Sequence, residues 1–173
     1  MEKLAIFGGP KAVDEPLKPY NSIGKEEASA VEEVIASGVL SKYLGTWSPE
    51  FFGGEKVKEF ERNCESFFKV KHAITVNSWT SGLTAAVGAT NINPGDEIIC
   101  TPWTMSAAAM SIIHWSAIPV FADIDPNTYN LDINSVKKLI NKNTKAIISV
   151  DIFGRATKQE KLVNLAKKNN LVI

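Results

Sequence analysis

Asn77-Ser78-Trp79-Thr80-Ser81-Gly82-Leu83 is the segment of this chain whose residue types and spacing most directly suggest chemistry. An apolar, β-branched stretch at 73–76 precedes it, and Leu83, Ala85 and Ala86 follow at helical spacing. The pattern predicts a short strand that breaks into a polar turn and restarts at once as a helix. Such a junction leaves the first helical N–H groups unpaired and aimed into the turn, where the macrodipole is positive. Phosphate is the commonest occupant of that geometry. Ser78, Thr80 and Ser81 add hydroxyl donors at the same place. The same string also fits a plain strand-to-helix connection with Ser and Thr as caps. It carries neither the Gly-Lys of a P-loop nor GxGxxG, so neither motif applies. Trp79 is out of pattern, since anion cups favour small residues.

Pro102-Trp103-Thr104-Met105-Ser106 follows a second apolar stretch, 97–101. In open parallel sheets ligands sit at the carboxyl ends of strands. A flat cofactor ring could therefore rest on Trp103 or Met105; core or interface packing explains the same residues equally well. Asp123-Ile124-Asp125 and Asp132 are carboxylates leaving a strand, and they read as turn formers and caps before they read as acid–base or metal groups. His114 and His72 lie on different elements with no ligand spacing between them, so no metal site is expected. Asp151 and Arg155 stand at another strand end, where they either contact a substrate or neighbouring subunit, or cap and salt-bridge the next helix. Cys64 and Cys100 lack CxxC spacing and read as buried thiols.

The elements that must position these groups follow from periodicity. Residues up to about 22 carry Gly8, Gly9, Pro10, Pro16 and Pro19, and residues 1–24 are expected to form an irregular arm. A helix opens at Lys25 and closes at Gly38. An aromatic-rich loop, 39–54, precedes a helix over 55–69; a loop of that length is usually functional or interfacial. Strands at 73–76, 97–101, 118–122 and 145–150 then alternate with helices at 80–90, 106–115, 134–141 and 158–169. Leu171-Val172-Ile173 reads as the start of another strand, which suggests a truncated protein. The expected class is α/β, a three-layer αβα arrangement with a mainly parallel sheet. The 19 Lys+Arg against 19 Asp+Glu give no net charge and no nucleic-acid footprint. The apolar runs are too short to span a membrane, no signal peptide precedes them, and cytoplasm is the default compartment.

In order and spacing these pieces resemble the sugar aminotransferases of the DegT/DnrJ/EryC1/StrS family. The similarity runs from about Ser22 to Ile173. It is carried by Gly54-Glu55-Lys56-Val57-Lys58-Glu59-Phe60-Glu61, Asn77-Ser78-Trp79-Thr80-Ser81-Gly82-Leu83, Pro94-Gly95-Asp96-Glu97-Ile98-Ile99, Ile118-Pro119-Val120-Phe121-Ala122-Asp123-Ile124 and Ile152-Phe153-Gly154. The resemblance implies a fold-type-I enzyme dependent on pyridoxal 5′-phosphate (PLP), with residues 25–173 forming the N-terminal part of its large domain. It implies that Thr80 and Ser81 hold the cofactor phosphate, with Trp79 where the family usually has Gly. Met105 takes the place of the aromatic residue that stacks on the cofactor ring, with Trp103 as its substitute.

The Schiff-base lysine and the Asp that pairs with the pyridinium nitrogen would lie beyond Ile173, so no catalytic residue is assigned and this chain alone is expected to be inactive. The implied partners are a nucleotide-linked keto-sugar, an amino donor such as glutamate, and a second subunit of a homodimer that meets the 43–52 loop. A PLP-dependent sugar dehydratase of the same family, or a non-catalytic remnant, are the alternative readings.

Overall fold

Ile98, Ile99 and Cys100 are all fully buried, an unbroken apolar run that suits only a strand covered on both faces. The computed structural model describes residues 3–16 and 18–173, and in it these residues belong to β1 (Glu97–Cys100). β1 lies between β2 (Ile118–Phe121) and β3 (Thr144–Ile147), and both pairings are parallel. Val172 continues the sheet beyond β3: Ile147 donates to its carbonyl at 2.9 Å, and its own N–H reaches Lys145 at 3.1 Å.

The helices are α1 (Lys25–Ala36), α2 (Glu55–Phe68), α3 (Trp79–Gly88), α4 (Ala107–Ile113), α5 (Ile133–Leu139) and α6 (Gln159–Lys168). Successive side chains of a strand point to opposite faces, and β1 uses both. Ile98 and Cys100 pack with Val87 of α3 and Ile112 of α4. Ile99 packs with Val136 of α5 and Leu162 and Ala166 of α6. Two apolar layers around one parallel sheet make the expected αβα sandwich. A turn sets the start of β1: Asp96 donates to the Asn93 carbonyl at 3.0 Å while Gly95 sits at φ +86°, after Pro94. That is type II geometry, with glycine where φ must be positive.

The strand expected at 73–76 does not form. Its β-branched residues supply propensity, but a strand also needs a neighbour to complete its ladder. Among the described residues no strand pairs with 73–76, and Ile74 is 84% exposed.

The chain divides into two compact units, Met1–Ala73 and Ile74–Ile173. In the first, the described residues ahead of α1 are irregular apart from one 3-10 turn, Ala5–Phe7, as the glycines and prolines imply. The Glu27 carboxylate reaches back to the Gly24 N–H at 2.7 Å and secures the start of α1. No residue of α1 or α2 is buried; the second unit contains the core. No helix among the described residues is long and apolar enough to cross a membrane.

Candidate functional site

α3 begins at Trp79, one residue ahead of the expected start, with Ser78 as N-cap in extended backbone. The Ser78 hydroxyl accepts from the Ser81 N–H at 3.2 Å and lies 3.1 Å from the Ser81 hydroxyl. Ser81 in turn donates its hydroxyl proton to the Asn77 side-chain carbonyl at 2.7 Å. Asn77, Ser78 and Ser81 are thus drawn into one polar cluster over the first turn of the helix. Thr80 is exposed at the same turn, its carbonyl accepting from the Thr84 hydroxyl at 3.0 Å. The N–H groups of Trp79 and Thr80 precede the first intrahelical bond, which Gly82 makes to Ser78 at 3.1 Å, so they remain available to an anion.

Trp79 does not obstruct this turn. Its indole lies along the helix flank at Gly82, where an added Cβ would come within 3.3 Å of the ring. Gly82 therefore provides the room that lets a tryptophan occupy so tight a junction. The donor set present (two open N–H groups and small hydroxyls at a helix start) matches a phosphate monoester and offers no metal-ligand cluster; among the described residues none exists.

α4 holds α3 in place. The Trp115 indole N–H donates to the Thr84 carbonyl at 2.8 Å, and its ring crosses α3 at Gly88. Sequence reading placed Trp115 at a helix end and missed this role, because nothing in local spacing pairs it with Gly88.

Trp103 and Met105 both follow β1 and are exposed. The described ring partner of Trp103 is Tyr129, stacked at 6.1 Å and 25°, and Tyr129 meets Phe153 edge-on at 6.4 Å. This aromatic group was not anticipated. Its members come from three loops, and no short-range pattern joins them.

The carboxylates act structurally. Asp125 Oδ1 accepts from the Asn127 N–H at 2.8 Å, and Asp132 caps α5 by accepting from Asn134 at 3.0 Å. Asp151 Oδ1 accepts from the Thr157 N–H at 2.8 Å and the Thr157 hydroxyl at 2.9 Å. Arg155 makes no salt bridge to the next helix; it donates to the Asn127 carbonyl at 3.1 Å. Cys100 is buried, and desolvation pushes its thiol up to about 11. Cys64 is only half-buried, contrary to expectation, because α2 has no buried face.

The backbone bond from Thr157, followed by its hydroxyl, holds the Asp151 carboxyl below the ordinary carboxylate range. A lowered folded-state pKa contributes stability that is complete above the unfolded-state pKa and lost as pH falls through the folded one. Asp151→Ala is expected to cost no more than about 0.5 kcal/mol at neutral pH, because the carboxyl is exposed and solvent screens its hydrogen bonds. That difference should shrink toward zero as acid protonates Asp151 in the parent chain. Thermal melts of both proteins across the acid range measure it.

Residues 21–173 match the DegT/DnrJ/EryC1/StrS aminotransferase family. The spore coat polysaccharide biosynthesis protein SpsC of Bacillus subtilis is 40% identical over 157 residues, covering 90% of this chain and 38% of its own length. GDP-perosamine synthase of Caulobacter vibrioides is 38% identical over 120 residues, covering 69% of this chain and 32% of its own. Among solved structures, Spr1654 of Streptococcus pneumoniae in its PLP form superposes with a TM-score of 0.77 at 27% identity, over 93% of this chain and 38% of that one. The chain spans less than two fifths of the length of each of these relatives.

Proposed function

The chain belongs to the DegT/DnrJ/EryC1/StrS aminotransferase family, and we propose that it is the N-terminal part of a PLP-dependent nucleotide-sugar aminotransferase whose share of the site is the cofactor's phosphate cup. The observation that carries this reading is the Asn77–Ser78–Ser81 cluster over the open first turn of α3. In this assignment the Thr80 hydroxyl donates to the phosphate, Ser81 does so by turning its hydroxyl proton away from Asn77, and the Trp79 and Thr80 N–H groups complete the cup. Met105, exposed after β1, and Trp103 flank the cofactor ring. Trp79 contributes backbone and not its ring, which Gly82 draws aside.

When bound, the cofactor supplies an electron sink for moving an amino group between an amino acid and a keto-sugar. This chain's residues anchor its phosphate and fix its position; residues 25–173 are the beginning of the large domain. The substrate class follows from family membership and from the nucleotide sugar in the name of the Caulobacter relative. A homodimer in the cytoplasm completes the proposal, with the 43–52 loop at the subunit interface. That loop is closed at its base by the Gly53 N–H bond to Lys42, at 3.1 Å, and it groups Trp47, Phe51 and Phe52 ring to ring.

Pyridoxamine 5′-phosphate tests the cup without condensing on surface lysines. The chain is expected to bind it at least about tenfold more tightly than pyridoxamine, since charge-assisted hydrogen bonds contribute roughly 1.5–3 kcal/mol. Ser81→Asp, which sets a like charge in the cup, should erase that preference. Equal affinity for the two compounds in the parent chain would overturn the assignment.

A further inference from the structure

Tyr129 and Phe153 occupy the left-handed region, at φ +61° and +55°, where glycine and asparagine are the ordinary choices and a bulky side chain is costly. Strain of this kind concentrates at functional sites. Burial does not compensate: Tyr129 is 45% exposed and Phe153 81% exposed. A buried asparagine enforces the arrangement. Asn130, 5% exposed, donates its side-chain amide to the Arg155 carbonyl at 2.9 Å and accepts from the Ile152 N–H at 3.2 Å. Its backbone carbonyl accepts from the Asp125 N–H at 2.9 Å. One side chain thus ties the loop after β2 to the loop after β3, with an aromatic residue on each. A turn alone is served better by glycine or asparagine, so what tyrosine adds at 129 is its ring.

That ring meets Trp103, from the loop after β1, stacked at 6.1 Å and 25°, and Phe153 flanks it edge-on at 6.4 Å. Three successive loops therefore share one aromatic ledge at the carboxyl edge of the sheet. Trp103 is held from a second side, because its N–H donates at 3.1 Å to the hydroxyl of Thr101, which is only 4% exposed. With one indole face on Tyr129 and the residue 50% exposed, the other face is open to a flat ring. Met105 is 78% exposed, on an unbranched thioether chain with three rotatable bonds. A stacking surface is effective when its rotamer is locked beforehand, since ordering it on binding costs free energy. Trp103 meets that condition and Met105 does not.

We propose that Tyr129, fixed by Asn130, is a positioning residue that backs Trp103 and makes the indole, in place of Met105, the stacking surface for the cofactor ring. This rests on the phosphate-cup reading above and goes beyond it by assigning roles to two residues outside the cup. Tyr129 acts through the indole and makes no contact of its own with the cofactor.

The test measures the affinity of the chain for pyridoxamine 5′-phosphate and for pyridoxamine by calorimetry. Tyr129→Asn suits the left-handed backbone, so the variant should keep or raise the melting temperature. It is expected to weaken both compounds by the same factor, about three- to tenfold, because both carry the ring that stacks. Tyr129→Phe keeps the backing ring and should keep the parent affinity. In a Trp103→Ala background, Tyr129→Asn should have no further effect, which is the non-additivity of a residue acting through its neighbour. Ser81→Asp should weaken the phosphate ester alone, so that failure here and failure of the phosphate cup are separate results. Unchanged affinity in Tyr129→Asn, a loss of affinity in Tyr129→Phe, the same loss with and without Trp103, or a sharply lowered melting temperature in Tyr129→Asn would each overturn the proposal.

Discussion

Replacing Ile99 by alanine is expected to lower the unfolding free energy of the chain by about 2–5 kcal/mol, the largest loss of any single change considered. Ile99 is fully buried in the central strand and packs on the face that α5 and α6 cover. Its carbonyl also accepts the Ile148 N–H at 2.8 Å, so collapse around the vacated space is resisted by the sheet. A loss of that size is a large share of the roughly 5–15 kcal/mol typical of a domain. Urea melts should show the midpoint falling with little change in slope. Ile99→Val, which removes one methylene, should cost about 0.5–1.5 kcal/mol. If Ile99→Ala melted like the parent, the two-faced core would be wrong.

Gly88→Ala is the second. A Cβ at Gly88 would lie 2.2 Å from the Trp115 ring carbon Cζ2, far inside contact distance. The indole must then either strain or swing away and lose its 2.8 Å bond to the Thr84 carbonyl. Overpacking of this kind costs about 1–3 kcal/mol, although alanine would by itself favour a helix by roughly 1 kcal/mol over glycine. A double-mutant cycle separates the two effects. In a Trp115→Leu background the clash is gone, and Gly88→Ala should become neutral or stabilising; the same penalty in both backgrounds would rule out the ring contact. Because α3 carries the proposed phosphate cup, Gly88→Ala should also weaken pyridoxamine 5′-phosphate binding in the Trp115 background alone.

Much of this protein was legible in its sequence because the information is local. The run Ile98–Ile99–Cys100, the turn at Pro94-Gly95, and the helical spacing of Val136 and Leu162 each reflect backbone sterics or burial period, which a few neighbouring residues determine. The hydroxyl-rich start of α3 is local in the same way, since a cap and the turn it caps lie within four positions. The 73–76 stretch shows the limit: β propensity was present, yet strand formation depends on a partner that no local pattern supplies.

Composition, periodicity and motif order by themselves determined the α/β class, the alternation of helices and strands from residue 79 onward, the hydroxyl-rich start of α3 and the family. Only the tertiary structure decided which residues meet across loops. It set Trp115 against Gly88, drew the Trp79 ring toward Gly82, and used Asn130 to bind two loops so that Trp103, Tyr129 and Phe153 share one ledge. The physical reason is that secondary structure and capping arise from interactions a few residues apart. Contacts between loops instead depend on how a parallel sheet brings the carboxyl ends of separate strands side by side, a relation that no spacing in the chain encodes.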